Sequence, residues 1–265
     1  MSRQQRRKRE RELAKLTGEV RRVGLPLPHR PEATMALALA VRDELRDRST
    51  PARASRAAAL IERVFDLTLL RLPPAERHPP LACAEGCAYC CHNEVMATAP
   101  EVFLAAGKLR AGGGIDAGTV VGRCEAVAPA RAAGGRPPCP LLERDRCSVY
   151  AGRPLVCRKH TSFALAACRS EHEGRPVRVP IRPFDQKLFE CCAVALLTGM
   201  RLWDGRRGAV FELSGALGAA LQDPGAEERW LAGEDVFAGI ASQAKLPGID
   251  EHAAFIWAEL GGDAA

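Results

Sequence analysis

Four cysteines fall within the nine residues CAEGCAYCC, at Cys83, Cys87, Cys90 and Cys91, and their spacing limits what this stretch can fold into. In a continuous helix they occupy i, i+4, i+7 and i+8, so all four sulfurs would line one stripe. At the helical rise, Cys83 and Cys91 would then stand about 12 Å apart along the axis. Sulfurs around one tetrahedral ion lie within about 4 Å of one another. Either Gly86 breaks the helix and folds Cys83 back, or the four thiols are divided between neighbouring centres completed by another segment.

Such a segment exists. Cys139, Cys147, Cys157 and Cys168 form a second, more widely spaced group, and two sets of four suggest one shared site. The chain has 11 cysteines; an odd number with Cys90 and Cys91 adjacent argues against a disulfide framework and for metal or redox chemistry. The first apolar residues after Met1 are spaced singly among arginines, so no secretory leader is expected and the protein reads as cytoplasmic. Its most apolar runs, ATMALALAV and CCAVALLTGM, are too short to span a membrane. Cys124, Cys191 and Cys192 stand apart within helical patterns and are expected to fill core, since free cysteine is among the most buried residue types.

Many thiolates around metal need positive charge and hydrogen-bond donors nearby. Arg146, Arg153, Arg158 and Lys159 lie close to the second cysteine group, and Arg153 and Arg158 are ranked first for that role. Lys159 is expected to be solvated. His92 and His160 neighbour cysteines, but enough thiolates are present without them.

The net charge of +6 belongs to the start of the chain. Residues 1–30 hold ten Lys or Arg against three Glu, a local +7, so the remaining 235 residues carry about −1. The stretch 1–22 is polar all round and reads as a frayed helix or flexible arm, followed by the proline-rich linker GLPLPHRPEA. Without interleaved aromatics or a reading motif, a solvated arm is preferred over a nucleic-acid adaptor.

The rest, 31–265, reads as one mostly α-helical domain with an irregular cysteine-rich centre at about 80–170. Ala and Leu dominate its apolar residues, and strand-type runs are scarce. Helices are expected at about 33–48, 52–72, 116–131, 185–202, 208–222, 226–241 and 249–260. In the second, Ala59, Leu60, Val64, Phe65, Leu67 and Leu70 form the expected buried face. Another should start at TAPE, where Thr98 and Glu101 suit a capping box with Pro100 in the first turn, and run to the glycines at 112–114. Glu101 reads as that cap before it reads as a reacting carboxylate. A turn is expected at ERDR, between PLL and SVY.

The stretch CAEGCAYCCHNEV…TAPE, taken with CPLLERDRCSVYAGRPLVCRKHTS…C, resembles the YkgJ-type cysteine-cluster family, a zinc- or iron-chelating domain. The resemblance covers about residues 80–170. It implies ligation of zinc or an iron–sulfur cluster by Cys83, Cys87, Cys90, Cys91, Cys139, Cys147, Cys157 and Cys168. Cys83 and Cys87 are separated by three residues where some relatives have two. Thiolate ligands suit either metal form. Flagellin lysine methylases carry a related cysteine motif, so a cluster-dependent protein-modifying enzyme, with a protein partner, is the alternative. The glycine-rich RAGGGID and RAAGGRP lack the ending of a phosphate loop, and no catalytic motif is found.

Overall fold

The computed structural model describes residues 3–23, 31–77, 79–112, 114–205, 208–243, 246 and 248–260. The chain is mostly helical. Helix α1 (Arg3–Val23) is not a free arm: Leu13 and Leu16 pack against the core, and the Thr17 hydroxyl donates to the Leu13 carbonyl at 2.8 Å. Two leucines suffice to dock a helix whose remaining surface is polar. Residues 24–30 of the expected linker lie outside the described residues, and Pro31 opens α2 (Pro31–Arg46), where its missing N–H costs no helical bond.

The closest helix pair is α2 with α8 (Pro183–Asp204). At Gly199 a Cβ would lie 2.5 Å from Val41 and 2.7 Å from the Ala38 carbonyl, so only glycine lets the two backbones approach this far. Helix α3 (Arg53–Leu70) lies against α2, α8 and α4 (Ala99–Arg110). Its buried face is rotated from the expected one. Ala54, Ala57, Ile61, Val64, Phe65 and Thr68 are buried, whereas Leu70 is 70% exposed. The same face also buries Glu62, for a reason that lies elsewhere in the chain.

Helix α5 (Ala117–Ala132) packs on α9 (Leu213–Gln222), where Cys124 meets Gly218. The short α10 (Ala226–Leu231) and α11 (Ile249–Glu259) complete the C-terminal part, α11 resting on α8. The helix expected over 226–241 ends at Leu231, and the one expected from 208 begins as a strand. That strand, β4 (Val210–Glu212), lies between β1 (Met96–Thr98) and β5 (Ser242–Gln243) in a three-stranded antiparallel sheet, with Ala97 opposite Phe211 and Phe211 opposite Ser242. Thr98 thus ends a strand and caps a helix.

The central segment carries a hairpin of β2 (Leu142–Glu143) and β3 (Arg146–Cys147), with Leu142 opposite Cys147. Its turn residues Arg144 and Asp145 both have positive φ, 48° and 61°, as the tightest hairpin turns require. Two further helices follow, α6 (Leu155–Lys159) and α7 (Leu165–His172). Among the described residues no helix is long and apolar enough to cross a membrane.

Candidate metal centre

The first cysteine segment is not a continuous helix. Gly86 has φ 84°, a conformation glycine adopts without the steric cost other residues meet, and the Cys87 N–H donates back to the Ala84 carbonyl. A 3-10 turn at Tyr89–His92 then carries Cys90 and Cys91. Of the two alternatives, the break at Gly86 is present, and Cys83 is freed from the helical stripe.

Backbone bonds tie this segment to the second group from two sides. The Cys139 N–H donates to the Cys91 carbonyl at 2.7 Å, and the Ala82 N–H donates to the Ser162 carbonyl at 2.8 Å. Next to the latter, the Ser162 N–H points at the Cys83 sulfur at 3.2 Å. His92 Nδ1 meets the Arg136 carbonyl at 3.0 Å, and the His92 and His172 rings pack edge to face. His160 has a buried Nε2 without a partner, and burial lowers its pKa, favouring the neutral ring.

These ties lay the two cysteine groups alongside one another. Cys83 lies within the field of Cys87 and Cys90. Cys168 lies within that of Cys83, Cys87 and Cys90. On the other side, Cys157 neighbours Cys139, Cys90 and Cys147, and Cys90 is hydrogen-bonded to Cys91. Cys90 is common to both sides. Cys124 and Cys192 are instead buried in the apolar core with Cys191 packed against it, although Cys124 comes near Cys139.

Burial pushes the thiols of Cys157 and Cys147 above their usual range, and Cys139 up to about 11. The hydrogen bond that the Cys90 thiol makes to Cys91, then burial, raises Cys90. Without metal these groups are therefore held as neutral thiols. Arg153 is the cation whose charge reaches most of them, with Arg158 also acting on Cys147 and Arg131 on Cys139. The Arg153 charge reaches Cys83, Cys90, Cys147 and Cys157, its guanidinium stacks on Tyr150 at 3.7 Å, and its buried Nε has no partner.

Arg158, expected in the same role, lies within the field of Cys147, while its hydrogen bonds run to α3 and the 151–153 backbone. Its side chain is 3% exposed. It donates to Glu62 at 2.8 Å, to Asp66 at 2.5 Å and to the Arg153 and Ala151 carbonyls. Arg158 thus braces the 151–158 loop against α3, and its positive charge is why Glu62 is buried there. Arg146 is exposed and pairs with Glu85, while Lys159 donates to Gln186 and lies over the Phe189 ring.

Glu101 forms the expected capping box, accepting from the Thr98 N–H at 2.8 Å and the Thr98 hydroxyl at 2.7 Å through Oε2. Its other oxygen accepts from the Leu155 N–H at 2.8 Å. One buried carboxylate therefore joins the start of α4 to the start of α6, the helix that carries Cys157. The two N-termini also offer it their partial positive charge.

Burial raises the Glu62 carboxyl to about 8 against the pull of Arg158, and its Oε1 has no hydrogen-bond partner. Between about pH 4.5 and 8 the folded chain therefore keeps a proton that the unfolded chain has lost. Stability is fully present below that window and falls through it by roughly 1.4 kcal/mol per pH unit at most. Glu62→Gln, which mimics the protonated form, should remove this component. Melting temperatures at pH 5 and pH 8 should differ less in the variant than in the parent, and an unchanged difference would refute the assignment.

Donor type decides first whether these residues suit a thiophilic metal. Thiol donors from the two adjacent cysteine segments, with the incompletely paired Arg153 beside them, are of the type that suits zinc or an iron–sulfur cluster. Among the described residues no group of three or more His, Cys, Asp or Glu side chains converges as an assembled ion site. Comparisons with protein-family models, curated proteins and solved structures find no match to the chain.

Proposed function

We propose that this is a thiolate metal-binding protein in which Cys83, Cys87, Cys90, Cys91, Cys139, Cys147, Cys157 and Cys168 hold zinc or an iron–sulfur cluster. One observation carries the reading. Backbone bonds from Cys139 to Cys91 and from Ala82 to Ser162 bring the two distant groups alongside one another, while Cys124 and Cys192 are buried in the apolar core. The resemblance of residues 80–170 to the YkgJ-type motif points the same way. A bound zinc would supply Lewis acidity, and a cluster would supply one-electron chemistry.

The chain's own groups have definable tasks in this reading. The thiols would give up their protons on holding a metal. Arg153 opposes the accumulated thiolate charge and offers its free Nε–H to sulfur. Glu101 and Arg158 keep α6, and with it Cys157, in register with α3 and α4.

Anaerobic purification followed by metal analysis and a visible spectrum tests the proposal. A brown protein with iron and acid-labile sulfide identifies a cluster; a colourless one with zinc identifies the zinc form. Cys90→Ser and Cys157→Ser should each weaken metal retention more than about tenfold, the loss typical of removing even a group that only hydrogen-bonds a ligand. Cys191→Ala should retain its metal. A folded protein that never holds metal would refute the proposal.

A further inference from the structure

We propose that helix α1 is a nucleic-acid contact, in which Arg7, Lys8, Arg11 and Lys15 hold the phosphate backbone of a duplex without reading its sequence. This surface lies outside the cysteine segments and is independent of the metal-binding reading.

The placement of the four side chains follows from how the helix docks. Leu16 packs on the main core, Leu13 joins Met35, Val194 and Ile256, and the Thr17 hydroxyl comes within 3.4 Å of the Ala36 carbonyl of α2. At about 100° per residue, positions 7, 8, 11 and 15 fall within one arc of about 100°, on the side of the helix away from Leu13 and Leu16. The positions of Glu10, Glu12 and Glu19, the acids of this helix, all fall outside that arc. Arg7, Lys8, Arg11 and Lys15 are all exposed. In a free arm these charges would turn in any direction. Docking fixes them as a row about 12 Å long that faces solvent.

Charge and chemistry select the partner. Like charges four residues apart repel one another and weaken a helix. Arg7 with Arg11, and Arg11 with Lys15, therefore cost the fold stability that a row of phosphates would restore. A duplex carries one charge per about 1.7 Å of its axis, so about seven phosphates lie along a row of about 12 Å. Helix α1 contains no aromatic residue on which the bases of a single strand could stack. A helix that lies on a lipid surface buries its own apolar face there, whereas Leu13 and Leu16 are already turned into the core. Residues 1–30 carry +7 and the remainder about −1, which confines the attraction to this end of the chain.

Fluorescence anisotropy of a labelled DNA duplex of mixed sequence, titrated with the full chain, is the test. Four phosphate contacts predict a slope of about −3.6 in log affinity against log salt, which is a loss of about 150-fold between about 50 and 200 mM salt. Combined Arg7→Gln, Lys8→Gln, Arg11→Gln and Lys15→Gln should bind at least about a hundredfold more weakly at the lower salt. Glutamine is nearly as good a helix former, so α1 should persist. Arg11→Gln alone should flatten the slope by about 0.9, which keeps the test available if the combined variant fails to fold. A control that removes the same charge from exposed positions elsewhere, Arg144→Gln, Arg175→Gln, Arg178→Gln and Lys187→Gln, should keep the parent's affinity. No binding at the lower salt, a combined variant that binds like the parent, or an equal loss in the control overturns the proposal. Tighter binding to vesicles of phosphatidylcholine and phosphatidylserine than to the duplex, lost in the combined variant, assigns the row to a membrane surface and overturns it as well.

Discussion

Above about pH 8, where Glu62 is ionised, Arg158→Ala should lower stability by about 3–5 kcal/mol, the cost of removing one partner from a buried charge pair, and by less below it, where Glu62 holds its proton. The guanidinium is the shared donor for Glu62, Asp66 and the carbonyls of Ala151 and Arg153. Its loss strands the Glu62 carboxyl beside Asp66 and within the field of Glu101 with no cation between them. Urea unfolding measures the effect directly. A combined Arg158→Met and Glu62→Gln variant should recover part of it, because removing both partners leaves no uncompensated buried charge at Glu62. A single variant within about 1 kcal/mol of the parent would show that the brace is dispensable.

Glu101→Ala should be nearly as damaging and should also reduce metal retention. Glu101 is 4% exposed, and its removal leaves the Leu155 and Thr98 N–H groups without their acceptor. Each unsatisfied buried donor costs about 1–3 kcal/mol. Thr98→Ala, by comparison, loses one hydroxyl contact and should cost about 1 kcal/mol, the ordinary scale of a helix cap. Calorimetric or urea unfolding of the two variants separates the roles. If they are equally destabilised, Glu101 is a cap only; if Glu101→Ala is much worse and loses metal, the bond to α6 is what matters.

Local rules made much of this fold legible. Thr98, Pro100 and Glu101 announce the start of α4 because a capping box is complete within four residues. Gly86 was legible as a break for a similar reason, and the ERDR turn lies between β2 and β3. The three-stranded sheet was not legible. Its strands are two or three residues long, too short for alternation to register, and β1 meets β4 only after most of the chain has passed. The register of α3 escaped in the same way: periodicity puts Leu70 inside and gives no cause to bury Glu62, whose partner Arg158 lies 96 residues on.

The site divides along the same line. Two cysteine groups, and a first group that cannot serve one ion as a straight helix, follow from spacing and helical rise alone. The burial of Cys124 and Cys192 also follows from sequence pattern, because amphipathic helices reveal their own buried faces. Two assignments required the folded chain: Glu101 holds two helices at once, and Arg158 braces the 151–158 loop against α3. Each depends on where a single polar hydrogen points across a long sequence gap. Backbone periodicity constrains which face of a helix is buried, but the direction of a donor inside an irregular loop is decided only when distant segments pack around it.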